Sequence, residues 1–164
     1  MRVRPATADD AAEIARAYNE GIADRVATFE TRPRSAEDVR GWFDGVHPVV
    51  VVEDGNDVIA FAATALYRPR DCYSGIAEVS VYVSGTARGR GAGRMALGAL
   101  LECARQAGYW KLVSRIFPEN QASRRLIRAL GFREVGTYEK HGKLDGVWRD
   151  VIIVERLIPE NLKT

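Results

Sequence analysis

Residues 79–108 read VSVYVSGTARGRGAGRMALGALLECARQAG. The first part alternates apolar Val79, Val81 and Val83 with Ser80 and Tyr82, the period of a strand. From Gly93 to Gln106 the period changes: Leu97, Leu100, Leu101 and Ala104 share one helical face, and Gly108 is placed to end the helix. Between the two lies RGRGAGR, residues 88–94, in which Gly89, Gly91 and Gly93 alternate with Arg88, Arg90 and Arg94 around Ala92. A strand, a glycine-rich turn and a helix together make an anion site. The first N–H groups of the helix have no internal partner, and the helix dipole makes that end positive. Arginines add charge and planar hydrogen-bond forks, which suits a pyrophosphate. The turn is neither a P-loop nor a G-x-G-x-x-G dinucleotide fingerprint. A solvated basic turn and an RNA-binding arginine–glycine segment are the competing readings, and the flanking strand and helix weigh against both.

The same punctuation continues outward. RVRP is a first strand, and Thr7 and Asp10 cap a helix whose buried face is Ala11, Ile14, Tyr18 and Ile22. Ser35 and Asp38 cap a second helix with Val39, Trp42 and Phe43 inward. PVVVVE, a DGN turn and DVIAFAATALY form a hairpin, followed by the strand IAEVSVYV. After the central helix come the strand KLVSRI, a helix in NQASRRLIRALGF ending at Gly131, and a closing pair, REVGTYEKHG and WRDVIIVERL. The order β-α-α-β-β-β-α-β-α-β-β predicts a mixed sheet covered by helices, an α/β (α+β) layered fold.

At 164 residues the chain is one domain, spanning 1–164. A net charge of +2 is too small to argue for nucleic acid or a membrane as partner. There is no apolar run long enough to span a bilayer and no apolar leader, so a cytoplasmic protein is expected. Cys72 and Cys103 lack metal spacing and stand apart from His47 and His141, so no metal site is expected.

RGRGAG resembles the R/Q-x-x-G-x-G/A signature of the GNAT acetyltransferases, with Arg88, Gly91 and Gly93 at the marked positions. Asn120 and Ser123, followed by ALGF, resemble that family's second cofactor motif. The resemblance covers nearly the whole chain. It implies the GNAT fold: a mostly antiparallel sheet with helices on both faces, and acetyl-CoA between two splayed parallel central strands. Residues 88–94 would hold the pyrophosphate, Val81, Tyr82 and Val83 would pair with the pantetheine arm, and Asn120 would touch that arm. TFET near residue 30, YRPRDCY near 70 and GVWRDV near 148 are similar to the phosphinothricin acetyltransferase subfamily. Its acceptors are glutamate-like amino acids bearing a tetrahedral distal group: phosphinothricin, arsinothricin, methionine sulfoximine or methionine sulfone. A homodimer with the acceptor pocket near the interface is also implied.

The reaction needs a neutral amine, so a base must take a proton from an ammonium group. Glu78 stands where the family places its catalytic carboxylate, and with Ser80 and Tyr82 it forms the polar face of its strand, opposite Val79. An ordinary Glu, with a pKa of about 4.3, is a weak base, and a water relay to the amine is one route. N–H groups of the Val81–Val83 segment would face the thioester oxygen as negative charge develops on it. Ile127 occupies the position at which many members carry a tyrosine acid, so the thiolate leaves without one. Arg68 and Arg70, flanking Pro69, suit two anionic groups of an acceptor. Phe29 would wall the pocket and Glu30 would accept the ammonium, with Tyr73, Tyr82 and Trp148 as further wall or core aromatics. Asp145 stands where some members carry a histidine, so a mechanism using that histidine does not transfer. Two other readings remain open: a GNAT enzyme for another small amine or a protein N-terminus, and an acyl-CoA-binding sensor without turnover.

Overall fold

Seven strands form one sheet in the order β1-β2-β3-β4-β5-β7-β6. The elements run β1 (Arg2–Pro5), α1 (Ala11–Asp24), α2 (Ala36–Arg40), β2 (Val49–Asp54), β3 (Asp57–Leu66), β4 (Ile76–Val83), α3 (Ala92–Gln106), β5 (Lys111–Ile116), α4 (Gln121–Ala129), β6 (Arg133–Leu144) and β7 (Val147–Leu157). This computed structural model describes residues 1–163. Every strand pair is antiparallel except β4–β5, which is parallel. The predicted order of elements and the helix-covered mixed sheet both hold.

Helices cover both faces of the sheet. On one face α1 and α2 bury Ile14, Val39, Val49, Val51 and Phe61 together. On the other, α3 and α4 bring Leu97, Leu100 and Ile127 against Val50, Val52, Val79 and Leu112. The alternation within β2 sends Val49 and Val51 to one core and Val50 and Val52 to the other, which is why that strand is apolar throughout.

Three boundaries differ from expectation. The turn capped by Thr7 and Asp10 is a 3-10 segment, Ala8–Asp10, ahead of α1. Asp10 accepts from Thr7 N–H at 2.8 Å and from both terminal nitrogens of Arg4 at 2.9 Å, which ties this turn to β1. The second helix is shorter than its apolar stripe and ends at Arg40, although Trp42 and Phe43 still pack on the α1 core. The last hairpin is longer, reaching Leu144 and Val147. Its turn is Asp145-Gly146, with φ of 51° and 79°; two successive positive values make the type I′ turn that matches strand twist.

Candidate active site

The site begins where two strands part. β4 and β5 pair only at Ile76–Lys111, Ala77–Leu112 and Glu78–Val113. At the fork the Ser114 hydroxyl donates to the Val79 carbonyl at 2.8 Å, replacing the ladder bond that the divergence removes. Ser84 N–H donates to Ile59 O at 2.8 Å, so even-numbered residues of β4 turn their backbone toward β3. Odd-numbered ones therefore turn theirs away, and Val81 and Val83 present N–H and C=O to the open gap beyond the fork. That is an extended edge ready to pair with an extended ligand.

The glycine loop closes one end of the gap. Gly89 and Gly91 have φ of 79° and 85°, the left-handed region that side chains resist, and Gly91 caps α3. Gly93 is needed for room: a Cβ there would lie 3.3 Å from both Leu126 Cδ2 and Val83 Cγ2. It lets the start of α3 press onto the edge of β4. The first bond inside α3 runs from Met95 N–H to Gly91 O, which leaves the N–H groups of Ala92, Gly93 and Arg94 for a ligand. Two of the three arginines are engaged. Arg88 pairs with Asp24 at the end of α1, and Arg90 with Asp54 at 2.6 Å. Arg94 is exposed and has no ion pair among the described residues. The loop's positive character toward a ligand thus rests on backbone N–H groups and Arg94, while Arg88 and Arg90 brace it. Free N–H groups, close backbone approach and an unpaired strand edge fit the pyrophosphate and pantetheine of acetyl-CoA.

Through the fork runs a cleft of ≈ 340 Å³, lined by Tyr18 and Tyr82 from the α1 side of the sheet and by Leu97, Leu126 and Ile127 from the α3 side. Glu78, Ser80 and Tyr82 of β4 line it together with Arg115 of β5, Phe117, the segment Ala27–Glu30, and Asn120, Ser123 and Ile127 from the α4 region. Glu78 is at the last paired position, its side chain about one-third exposed (34%), and its Oε1 accepts from Arg115 Nη2 at 3.1 Å. Phe29 meets Phe117 edge to face at 4.9 Å and sits against Gly142, where a Cβ would be 3.0 Å from its ring. Glu30 is held by Arg34 at 2.8 Å. Tyr82 stacks on Phe61 at 5.4 Å and meets Tyr18 at 4.9 Å, and Thr28 lines the same cleft. Burial pushes both phenols above their ordinary range, so they stay neutral hydroxyls.

Asn120 has a structural part that the sequence did not announce. Its Oδ1 accepts from Ser123 N–H at 3.2 Å as the cap of α4, and its Nδ2 donates to Val26 O at 3.3 Å. The side chain fastens α4 to the segment after α1 as well as lining the cleft. Arg68, Pro69, Arg70 and Tyr73 are not brought into the cleft. They lie on the exposed connection after β3, where the Arg68 guanidinium covers the Tyr67 ring at 4.9 Å and Tyr73 meets Tyr67 at 5.8 Å. The stiffness lent by Pro69 is real, but the β3–β4 register carries that connection past the end of the sheet. Trp148 is exposed beneath Lys143, and Asp145 sits in the hairpin turn, paired with Arg25 at 3.2 Å. Sequence reasoning missed Arg115, Phe117, Ser114 and Thr28. The alternation in KLVSRIF held the signal: Leu112 and Ile116 join the α3 core, so Arg115 and Phe117 must face the other way.

Residues 1–133 match the family described as the acetyltransferase (GNAT) domain. A phosphinothricin N-acetyltransferase of Streptomyces coelicolor is 31% identical over 95% of this chain and 95% of its own. An L-methionine sulfoximine/L-methionine sulfone acetyltransferase of Pseudomonas paraeruginosa is 32% identical over 93% and 92%. Among solved structures, a GNAT superfamily phosphinothricin acetyltransferase from Sinorhizobium meliloti in complex with acetyl-CoA is similar, with a TM-score of 0.91 and 31% identity, covering 99% of this chain and 91% of that one. The chain belongs to the GNAT acetyltransferase family, and it is an N-acetyltransferase that uses acetyl-CoA. Among the described residues there is no group of side chains fit to hold a metal, and no helix is long and apolar enough to cross a membrane.

Proposed function

We propose that this enzyme acetylates the α-amine of a small, glutamate-like amino acid with a tetrahedral distal group, such as phosphinothricin, arsinothricin, methionine sulfoximine or methionine sulfone, and thereby detoxifies it in the cytoplasm. The observation that carries the reading is the placement of Glu78. It stands at the fork, on the face of the sheet opposite the α3 core, three residues before Val81, where the free strand edge begins. The named relatives act on phosphinothricin and on methionine sulfoximine or sulfone.

Bound acetyl-CoA supplies the thioester acetyl group, held by the α3 N-terminus and the Val81–Val83 edge. Glu78 takes the proton of the incoming ammonium, directly or through one water. As the amine nitrogen bonds to the acetyl carbon, the carbon–sulfur bond breaks, the nitrogen releases its second proton to solvent and the thiolate leaves. The N–H groups of Val81 and Val83 face the gap in which negative charge collects. Ile127 lines the cleft as a buried apolar side chain, so it supplies no acid, and the thiolate takes its proton from solvent. Neutral hydroxyls of Tyr18, Thr28, Ser80 and Tyr82 give donors for the oxygens of a tetrahedral group. A homodimer belongs to the same proposal, supported by exposed Val135, Tyr138, Val147 and Trp148 on the β6–β7 hairpin.

The test is thiol release from acetyl-CoA across a panel of L-phosphinothricin, arsinothricin, methionine sulfoximine, methionine sulfone, glutamate, a polyamine and an N-terminal peptide. Turnover confined to the tetrahedral amino acids supports the proposal. Turnover only with the polyamine or the peptide refutes the acceptor, and tight acetyl-CoA binding without turnover refutes the reaction.

A further inference from the structure

The acceptor side of the cleft holds one cation. Among the described residues lining it, Glu30 and Glu78 are acidic and Arg115 alone is basic. An acceptor that was only an amine would need carboxylates and no guanidinium. Arg115 also stands on the side of the sheet away from α3: its neighbours in alternation, Leu112 and Ile116, belong to the α3 core, and Phe117 packs with Phe29. It therefore does not serve the pyrophosphate loop. Its one recorded partner is Glu78, through Nη2 at 3.1 Å, and its side chain stays 46% exposed, which leaves donors of the fork free.

We infer that Arg115 binds the α-carboxylate of the acceptor, and that Glu78 and Arg115 together form a two-charge template for the α-amino acid headgroup. The inference rests on the amino acid acceptor proposed above and adds the residue that reads it. An α-amino acid carries a cation and an anion on one carbon, a mirror of a carboxylate and a guanidinium already in contact. With no acceptor bound, the pair satisfies itself. When the acceptor enters, the ammonium takes the Glu78 oxygen and the carboxylate takes the Arg115 fork, so neither charge loses its counter-charge. Arg68 and Arg70, outside the cleft, are not needed for this contact.

The experiment compares free amino acids of the panel with their methyl esters, which keep the amine and lose the carboxylate charge. The proteins are the wild type, Arg115→Met and Arg115→Lys. The wild type is expected to prefer acid over ester by about 10- to 100-fold in kcat/KM, the size of a hydrogen-bonded charge contact. Arg115→Met is expected to collapse that ratio by raising the KM of the acid, and Arg115→Lys to restore part of it. The KM for acetyl-CoA reports that each variant is folded. A wild type that takes ester and acid alike overturns the inference. So does an Arg115→Met variant that loses kcat equally on both, which would make Arg115 a positioning residue for Glu78. Turnover of unrelated amines with none of the amino acids refutes the acceptor reading itself, and the two failures are told apart by the wild-type panel.

Discussion

Gly21 and Gly98 both lie inside helices, and replacing each with alanine is expected to have opposite effects. Alanine in a helix interior is favoured over glycine by about 1 kcal/mol, through backbone entropy. At Gly98 in α3 a Cβ meets nothing within 4 Å, so Gly98→Ala should keep most of that gain. At Gly21 in α1 a Cβ would lie 2.5 Å from Cδ1 and from Cε1 of Tyr82. Carbon atoms rest at about 3.5–4.0 Å, so the contact must open by about 1 Å. The ring cannot retreat, because Phe61 stacks behind it at 5.4 Å and Tyr18 flanks it at 4.9 Å. Helix α1 must therefore lift off the sheet. Overpacking costs about 1–3 kcal/mol; with the ring unable to retreat the upper part of that range applies, about 2–3, and the helix term returns about 1, for a net loss of about 1–2 kcal/mol. For a chain of this length that lowers Tm by about 2–8 °C, whereas Gly98→Ala should raise it by a few degrees. Urea and thermal unfolding followed by circular dichroism measure both. Because Tyr82 lines the acceptor cleft, Gly21→Ala should also raise the acceptor KM more than the acetyl-CoA KM. A Gly21→Ala protein as stable as the wild type would refute the claim that glycine is kept there to seat Tyr82.

Glu78→Gln keeps a hydrogen-bond acceptor for Arg115 while removing the base; turnover should fall by about 10²–10⁴-fold with acetyl-CoA affinity unchanged, and unaltered kcat would remove Glu78 from the chemistry. Gly91→Ala places a Cβ at a φ of 85°, so acetyl-CoA binding measured by calorimetry should weaken as the cap of α3 distorts, by about 1–2 kcal/mol; an unchanged Kd would show that this conformation is not needed. Hydrogen bonds from Arg4 outweigh partial burial and, with Thr7 N–H, hold the Asp10 carboxyl below the ordinary range. A depressed carboxyl stabilises the fold above its unfolded pKa of about 3.9, and that contribution disappears as pH falls through the lower folded value. Asp10→Asn should therefore destabilise the protein at pH 7, with the gap from wild type closing toward pH 2 in urea titrations; a gap that stays constant across that range would contradict the ion-pair account.

What could be read from the sequence is what neighbouring residues decide among themselves. RGRGAGR declared an anion loop because the strand before it, the helix after it and the glycines between them all lie within one stretch. The caps at Thr7, Ser35 and Gly108 were legible for the same reason. The acceptor side was not local. Arg68 and Arg70 stood out beside Pro69, yet the pairing of Leu66 with Ala77 carries their connection past the sheet end and away from the cleft. Arg115 stood in an ordinary strand, one charged residue among many. Its meaning comes from a parallel register only three pairs long, which sets Glu78 beside Val113 and so brings residue 115 to the fork. A shift of that register by one residue would turn Arg115 into the α3 core and leave Glu78 without a partner, because alternation in a strand has a period of two. The chemistry of the acceptor side is thus written in β4 and β5 jointly, and neither strand states it alone.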